Sequence, residues 1–325
     1  MNIINLTDYK TPDELYKMWN EEFGFIFPIT KELFQKNVFD YGECAINNSF
    51  VAIENDIAVG FVIGKTWPDK YEVAGYNDIG WISLIYVKPE FRKRGIGSSL
   101  LEKIEKIFIE QKKTIINIGK DYYNFFPGVP VEMKIHRSFF SNRGYNLNYD
   151  TNDLIKKITN KTKKEVLKAY KDGKSYIVRR ATKEDFHKID HLIKKNWPGR
   201  WYMEFLDYVD NGGTGKEYMI CIDENDYVCG FCKICDINTP LILSGYSMNY
   251  YDRFDHLGGI GPLGVDIEYR KRNIANNILK TIINELIESG ATEIIIDWTN
   301  LMHIYQKYGF EIWKSYTYTY KELKK

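Results

Sequence analysis

The feature that most constrains the fold is a phrase written twice. Val87–Leu100 reads "VKPEFRKRGIGSSL" and Val265–Ile278 reads "VDIEYRKRNIANNI". Over the first eleven positions Val, Glu, Arg, Lys, Arg and Ile recur in place, while Gly95 gives way to Asn273. A chain that repeats so specific a phrase is predicted to repeat the structural unit that carries it. The neighbouring sequence agrees. "ENDIAVGF" (Glu54–Phe61) and "ENDYVCGF" (Glu224–Phe231) both read as strand, Asn-Asp turn and second strand, the pattern of a β-hairpin. Helical sequence precedes each hairpin: "TPDELYKMWNEEF" in one case, "TKEDFHKIDHLIKKNW" in the other, the latter with a Thr-x-x-Asp capping start. An amphipathic helix follows each loop, "SSLLEKIEKIFIEQ" and "NNILKTIINELIES", with apolar residues at three-four spacing. A β-branched strand comes next ("TIINI", "TEIIID"). Each unit then closes on an aromatic, three residues, Gly and an aromatic, in "FFSNRGY" and "IYQKYGF".

A length of 325 residues exceeds the usual single core and fits two domains. The expected division is a first unit over 1–155, a Lys-rich connecting helix and linker over 156–173, and a second unit over 174–325. The first unit carries 13 more residues than the second between its loop and its closing Gly. Most of that surplus falls in "GKDYYNFFPGVPVEMKIH", a Pro-Gly and aromatic insertion expected either to cover a ligand or to pack as a surface loop.

Composition excludes several classes. A net charge of +1 gives no reason to expect a nucleic acid or an acidic membrane as partner, although a local basic cluster can still bind a small phosphate. The opening "MNIINLTDYK" lacks the basic start and apolar run of a secretory signal. No apolar stretch approaches the roughly 18 residues of a membrane span. Five cysteines, four of them close together, do not form a secreted disulfide framework, so a cytoplasmic location is expected.

The loop itself suggests chemistry. An apolar strand ("ISLIYV") runs through a Pro-interrupted basic turn into two glycines and a helix. A helix N-terminus has unpaired amides and partial positive charge, so it favours an anion. Glycines let backbone approach that anion, and Arg92, Lys93 and Arg94 add charge suited to a diphosphate. The loop is neither a Walker loop nor a Rossmann fingerprint, since the required Lys-Ser/Thr, third Gly and later acidic residue are missing. The bland alternative is a capped helix beside a solvated basic turn.

These residues resemble the GNAT superfamily of N-acetyltransferases. Arg92, Gly95 and Gly97 fill its loop pattern Arg/Gln-x-x-Gly-x-Gly/Ala, and "IYQKYGF" is similar to its later Tyr-x-x-x-Gly-Phe segment. The resemblance spans nearly the whole chain as a tandem pair. It implies an α/β class, with a mixed α+β sheet in each of two GNAT-like acyl-CoA N-acyltransferase domains, and acetyl-CoA as co-substrate. It further implies that Ile85, Tyr86 and Val87 pair with pantetheine, while Arg92, Lys93, Arg94, Gly95, Ile96, Gly97 and Ser98 hold the pyrophosphate.

Transfer of an acetyl group to an amine has its own requirements. The amine must lose a proton, the tetrahedral oxyanion needs a donor such as a strand amide freed by a bulge, and the departing thiolate benefits from an acid. The family's acid position is Tyr305 in the second unit but Phe140 in the first, so Tyr122 or Tyr123 in the insertion is a candidate to replace the missing hydroxyl. Asp297 and Glu132 lie near strand ends where a base can sit, and His136 is a possible shuttle; none is assigned. The cysteines of "CGFCKIC" and Cys221 raise a zinc site, but positions three apart on a strand face opposite sides, and no metal is expected.

The leading expectation is therefore acetyl transfer to a primary amine of a small molecule, with CoA held by the first unit because its loop is intact. One alternative places catalysis in the second unit with Tyr305 as general acid. Another is a non-catalytic CoA-binding or interaction module. Sequence gives neither the acceptor nor the oligomeric state. Asn273, the non-Gly residue type that best tolerates left-handed backbone, is expected to preserve the loop's shape while crowding a pyrophosphate.

Overall fold

A computed structural model of the chain describes residues 1–68, 73, 75–159 and 176–323, with Ile135 described by its backbone alone. Most of the connecting segment expected over 156–173 lies outside the described residues. Two compact units form, Met1–Asn152 with Lys314–Lys325, and Asp153–Trp313.

The first unit begins with β1 (Asn2–Asn5) and α1 (Asp13–Phe23). The expected hairpin follows as β2 (Phe50–Glu54) and β3 (Ile57–Thr66). Its turn residues Asn55 and Asp56 both take positive φ, 51° and 63°, as a tight hairpin of right-handed twist demands. Next come β4 (Ile79–Val87), α2 (Ile96–Glu110), β5 (Ile115–Ile118), the short β6 (Val129–Pro130), α3 (Lys134–Ser141) and β7 (Asn146–Lys157). The second unit follows the same order. It runs β8 (Ile177–Arg180), α4 (Phe186–Asn196), α5 (Arg200–Asp210), β9 (Tyr218–Ile222), β10 (Val228–Cys235) and β11 (Leu257–Val265). It continues with α6 (Ile274–Glu288), β12 (Glu293–Thr299), α7 (Met302–Gln306) and β13 (Glu311–Glu322). The Thr182 capping start is realised as a box in which Thr182 and Asp185 cap each other's amides.

In the first unit β1 to β5 lie side by side in sequence order, antiparallel except for the parallel pair β4/β5. In the second, β8 to β12 repeat that order and that single parallel pair, β11/β12. A parallel neighbour needs a crossover, and α2 and α6 supply it. Their apolar faces cover the sheets: Ile96, Leu100, Leu101, Ile104 and Phe108 pack with Val62, Ile82 and Ile116, and Ile274, Ile278, Ile282 and Leu286 with Cys232, Ile260 and Ile294.

The last strand is the departure from a simple tandem reading. From Lys314 on the chain folds with the first unit, where β13 pairs antiparallel with β5 and with β6. Tyr316 is fully enclosed there, beside Phe27 and Phe126. In turn Asp153–Lys157, the end of β7, belong to the second unit, next to β12.

Two bulges recur at matched places. Val59 is an extra residue of β3 against β2, and Cys229 is its counterpart on β10 against β9. Ser83 is extra on β4, and on β11 Gly261–Pro262 together face the single Lys233 of β10. The bulge at Cys229 also corrects the strand-parity argument about the thiols. It shifts the side-chain phase, so Cys229 and Cys232 enter the same core cluster with Cys221, as free thiols. Among the described residues no three His, Cys, Asp or Glu side chains form a metal-holding group.

Candidate active site

The largest structural consequence of the repeated loop is in the first unit. The parallel pairing of β4 with β5 stops at Ile82↔Ile118, and beyond it Ile85–Val87 keep β3 on one side only. A strand edge that faces no further strand among the described residues therefore runs toward the loop. A cleft of about 870 Å³ opens along it, lined by Ile85, Tyr86 and Val87, by Lys93, Gly95, Ile96, Gly97 and Ser98, and by Glu22, Phe23 and residues of α3. Nine of the ten residues named from sequence as a cofactor-binding set line this one cleft. Arg94 does not. It turns to Glu54, donating to both carboxylate oxygens at 2.7 and 2.9 Å.

The backbone explains why this loop needs its glycine. Gly95 caps α2 at φ +83°, and Lys93 stands at φ +61°. The first ladder bond of α2 runs from Ser99 N to Gly95 O, so the amides of Ile96, Gly97 and Ser98 point out of the helix start. Arg92 is less available than its position suggests. Its Nε donates to Val87 O at 2.8 Å, and its guanidinium is paired with Glu22. A cation that sequence reading passed over stands in its place: Arg143, from the closing "SNRGY", donates to Ser98 Oγ at 2.6 Å and lies over Phe139. The signal was its position one residue before the closing Gly.

The polar groups of the cleft are tuned by their surroundings. His136 is largely enclosed, and its Nδ1 has no hydrogen-bond partner. Burial, then the Arg92 cation, push its imidazole down from the ordinary value, which keeps it neutral near neutral pH. Burial and the nearby Glu22 carboxylate push the Tyr86 phenol up, so it stays protonated. Glu132 is exposed at the rim.

The insertion packs inward. Phe125 and Phe126 are core residues, and Tyr122 is buried against Trp67, Tyr41 and the stacked Tyr123 ring at 4.2 Å. Behind them Lys65 Nζ donates to Asp121 Oδ2 at 2.7 Å and to Tyr123 O, and Ser83 Oγ donates to the same carboxylate oxygen. Both charged side chains are fully enclosed. The bulged residue Ser83 is thus tied to a sealed ion pair, and neither Tyr122 nor Tyr123 lines the cleft.

The second unit keeps the loop's form. Lys271 and Asn273 take φ of 64° and 62°, matching Lys93 and Gly95, and Asn273 caps α6. Asn276 donates to the Asn273 side chain and accepts from Lys307 and Tyr308. Tyr305 is buried in the core against Phe310; burial, then Cys232 and Asp297, push its phenol up. Asp297 is the first residue past the end of the β11/β12 pairing, beside the bulge at Gly261. Ser247 Oγ donates to its Oδ2 at 3.2 Å. Burial, then the Asp153 carboxylate, raise the Asp297 carboxyl to about 7, against the opposing pull of Arg200.

The family model described as acetyltransferase (GNAT) family matches residues 13–124 and 186–310, once in each unit. The chain belongs to the GNAT acetyltransferase family. Acetyl transfer is this family's reaction, with acetyl-CoA as its usual donor. No curated protein matches the GNAT chain. Among solved structures, it is similar to a GCN5-related glucosamine N-acetyltransferase region in a fungal multi-domain GH3 β-N-acetylglucosaminidase, at 23% identity and a TM-score of 0.81. That match covers 98% of this chain and 38% of the fungal one, so the chain spans well under half of that relative. A GCN5-related N-acetyltransferase from Sphaerobacter thermophilus follows at 14% identity and a TM-score of 0.66, covering 98% and 95%. A tandem GNAT protein from the clavulanic acid biosynthesis pathway gives 12% and 0.65, covering 98% and 97%. At these identities the likeness bears on the fold alone. No helix among the described residues is long and apolar enough to cross a membrane.

Proposed function

We propose that the chain transfers an acetyl group from acetyl-CoA to a primary amine of a small molecule, with CoA held in the first unit's cleft. The observation that carries this reading is the junction of an open strand edge, Ile85–Val87, with a helix start whose outward amides are flanked by Lys93 and Arg143. An extended pantetheine suits the strand edge, since its amides can add to the sheet as a strand would. A diphosphate suits the helix start. The fungal neighbour is named for glucosamine, itself a small primary amine, which supports placing amino sugars first among acceptors to be tried. Neither a nucleic acid nor a membrane enters this reading, and a cytoplasmic location accords with it. Calorimetry with CoA, and thioester consumption with amino sugars, polyamines and amino acids, test it. Absence of CoA binding refutes it.

A second reading places the transfer step in the second unit, with Tyr305 as the acid that protonates the departing thiolate. What favours it is the contrast between the units: Tyr122 and Tyr123 lie away from the first unit's cleft, while the second unit retains the left-handed loop, the bulge and the buried Tyr305. Undiminished turnover in Tyr305→Phe would remove this reading.

A further inference from the structure

Asp297 lies at a point of the second unit where the pairing of β11 and β12 ends beside a bulge. β11 and β12 pair up to Ile260↔Ile296; Asp297 comes next, and β11 bulges opposite it at Gly261–Pro262. Two glycines approach its carboxylate where a side chain would crowd it: a Cβ on Gly245 would stand 2.9 Å from Oδ2, and one on Gly261 would stand 3.4 Å from Oδ1. The residue keeps part of its surface in solvent. The nearby Asp153 is differently placed. It is fully buried, and its Oδ1 accepts from both the Tyr246 hydroxyl and Trp298 N, the latter at 3.0 Å. The position equivalent to Asp297 in the first unit is Gly119, which follows Ile118 at the end of the matching pair. The first unit's nearest carboxylate, Asp121, is sealed by Lys65 and Ser83.

We propose that Asp297 takes the proton from the acceptor's ammonium group, making the second unit the seat of transfer. This rests on the acetyltransferase reading in its second-unit form. The ammonium gives one proton to the Asp297 carboxylate, and the freed amine attacks the acetyl carbonyl of acetyl-CoA. A C–N bond forms, the C–S bond breaks, and the electron pair leaves on sulfur. The second proton lost by nitrogen ends on that sulfur as the CoA thiol, relayed in this reading by Tyr305. Asp297 then releases its proton to water.

The groups that face Asp297 set its titration: Asp153 from β7, Arg200 and Glu204 from α5, Tyr246 and Ser247 from the 246–253 turn, Cys232 and Cys235 from β10, and Tyr305 from α7. The two carboxylates and burial favour the neutral acid, while Arg200 and Ser247 favour the carboxylate. Since only the carboxylate can accept a proton, kcat should fall as pH drops through about 7.

The test compares wild type and Asp297→Asn in acetyl-CoA consumption across pH with one amine, so that the amine's own titration is common to both. The expected result is a loss of about a hundredfold or more in kcat, disappearance of the acid limb, and unchanged acetyl-CoA KM. Turnover within about threefold of wild type overturns the proposal while leaving acetyl transfer intact. A wild type that consumes no acetyl-CoA with any amine overturns both. Should Asp297→Asn misfold, Ser247→Ala decides: losing the hydroxyl that favours the carboxylate must move the acid limb to higher pH, and an unmoved limb refutes the assignment.

Discussion

Replacing Gly95 by Ala and by Asn separates what the loop's glycine does for the fold from what it does for a ligand. At φ +83° an Ala pays the left-handed penalty of roughly 1–2 kcal/mol, whereas Asn tolerates this region, as Asn273 does at φ 62° in the other copy. No atom lies within 4 Å of a Cβ placed on Gly95, so the Ala methyl and the Asn Cβ meet open space. Conformational strain is therefore the whole expected stability cost. For a unit of this size it lowers Tm by about 2–4 °C per kcal/mol, more for Ala than for Asn. Affinity for CoA should rank the other way. The added side chain enters a cleft wall, and losing one charge-assisted hydrogen bond to a phosphate costs about 1.5–3 kcal/mol, or roughly ten- to a hundredfold in Kd. The larger Asn should cost at least as much affinity as Ala. Thermal melting and calorimetry on both variants would give opposite orders for stability and affinity. Parallel orders, or an Ala variant as stable as wild type, refute the reasoning.

Removing the Lys65 ammonium leaves Asp121 as an uncompensated buried charge, so Lys65→Met should cost about 3–5 kcal/mol in chemical denaturation, and the double variant Lys65→Met/Asp121→Asn should recover most of it. Residues 1–155 expressed alone should fail to give a cooperative melt. They lack β13, which covers the β5 edge and supplies the enclosed Tyr316; loss of that ring alone costs about 3–5 kcal/mol, and adding back a 311–325 peptide should restore the transition.

Much of the fold was legible because its signals are local. Two hairpins, the strand-loop-helix phrase and the closing segments each announce themselves within a dozen residues, and each formed where expected. The strand exchange had no such signal. β7 and β13 are both 12-residue strands that leave a closing Gly turn, and nothing within either sequence says which sheet it joins. The bulges were equally silent, which is why alternation misplaced Cys229 relative to Cys232. The cleft's lining was read well from the loop, since helix start and strand edge are contiguous in sequence. What sequence missed there, Glu22 pairing with Arg92 and Arg143 reaching Ser98, comes from residues 70 and 45 positions away.

The internal repeat separates fold from chemistry. Positive φ recurs at Lys93 and Lys271, and at Gly95 and Asn273, although one of those pairs has changed residue; the backbone shape is what the strand-to-helix turn requires. The bulges at Ser83 and Gly261 likewise recur with different side chains. Where the copies part is just beyond each bulge. In the first, Ser83 and Lys65 both donate to Asp121 Oδ2 in a space closed by the inward-packed insertion. In the second, two glycines and a partly exposed Asp297 occupy the matching place, against residues 245–247 of the segment between β10 and β11. The first unit's carboxylate is committed to a sealed ion pair, whereas burial and Asp153 raise the Asp297 carboxyl to about 7. The two copies thus divide along physical lines: the first has the better-built groove for a diphosphate carrier, and the second has the group better matched to moving an amine's proton.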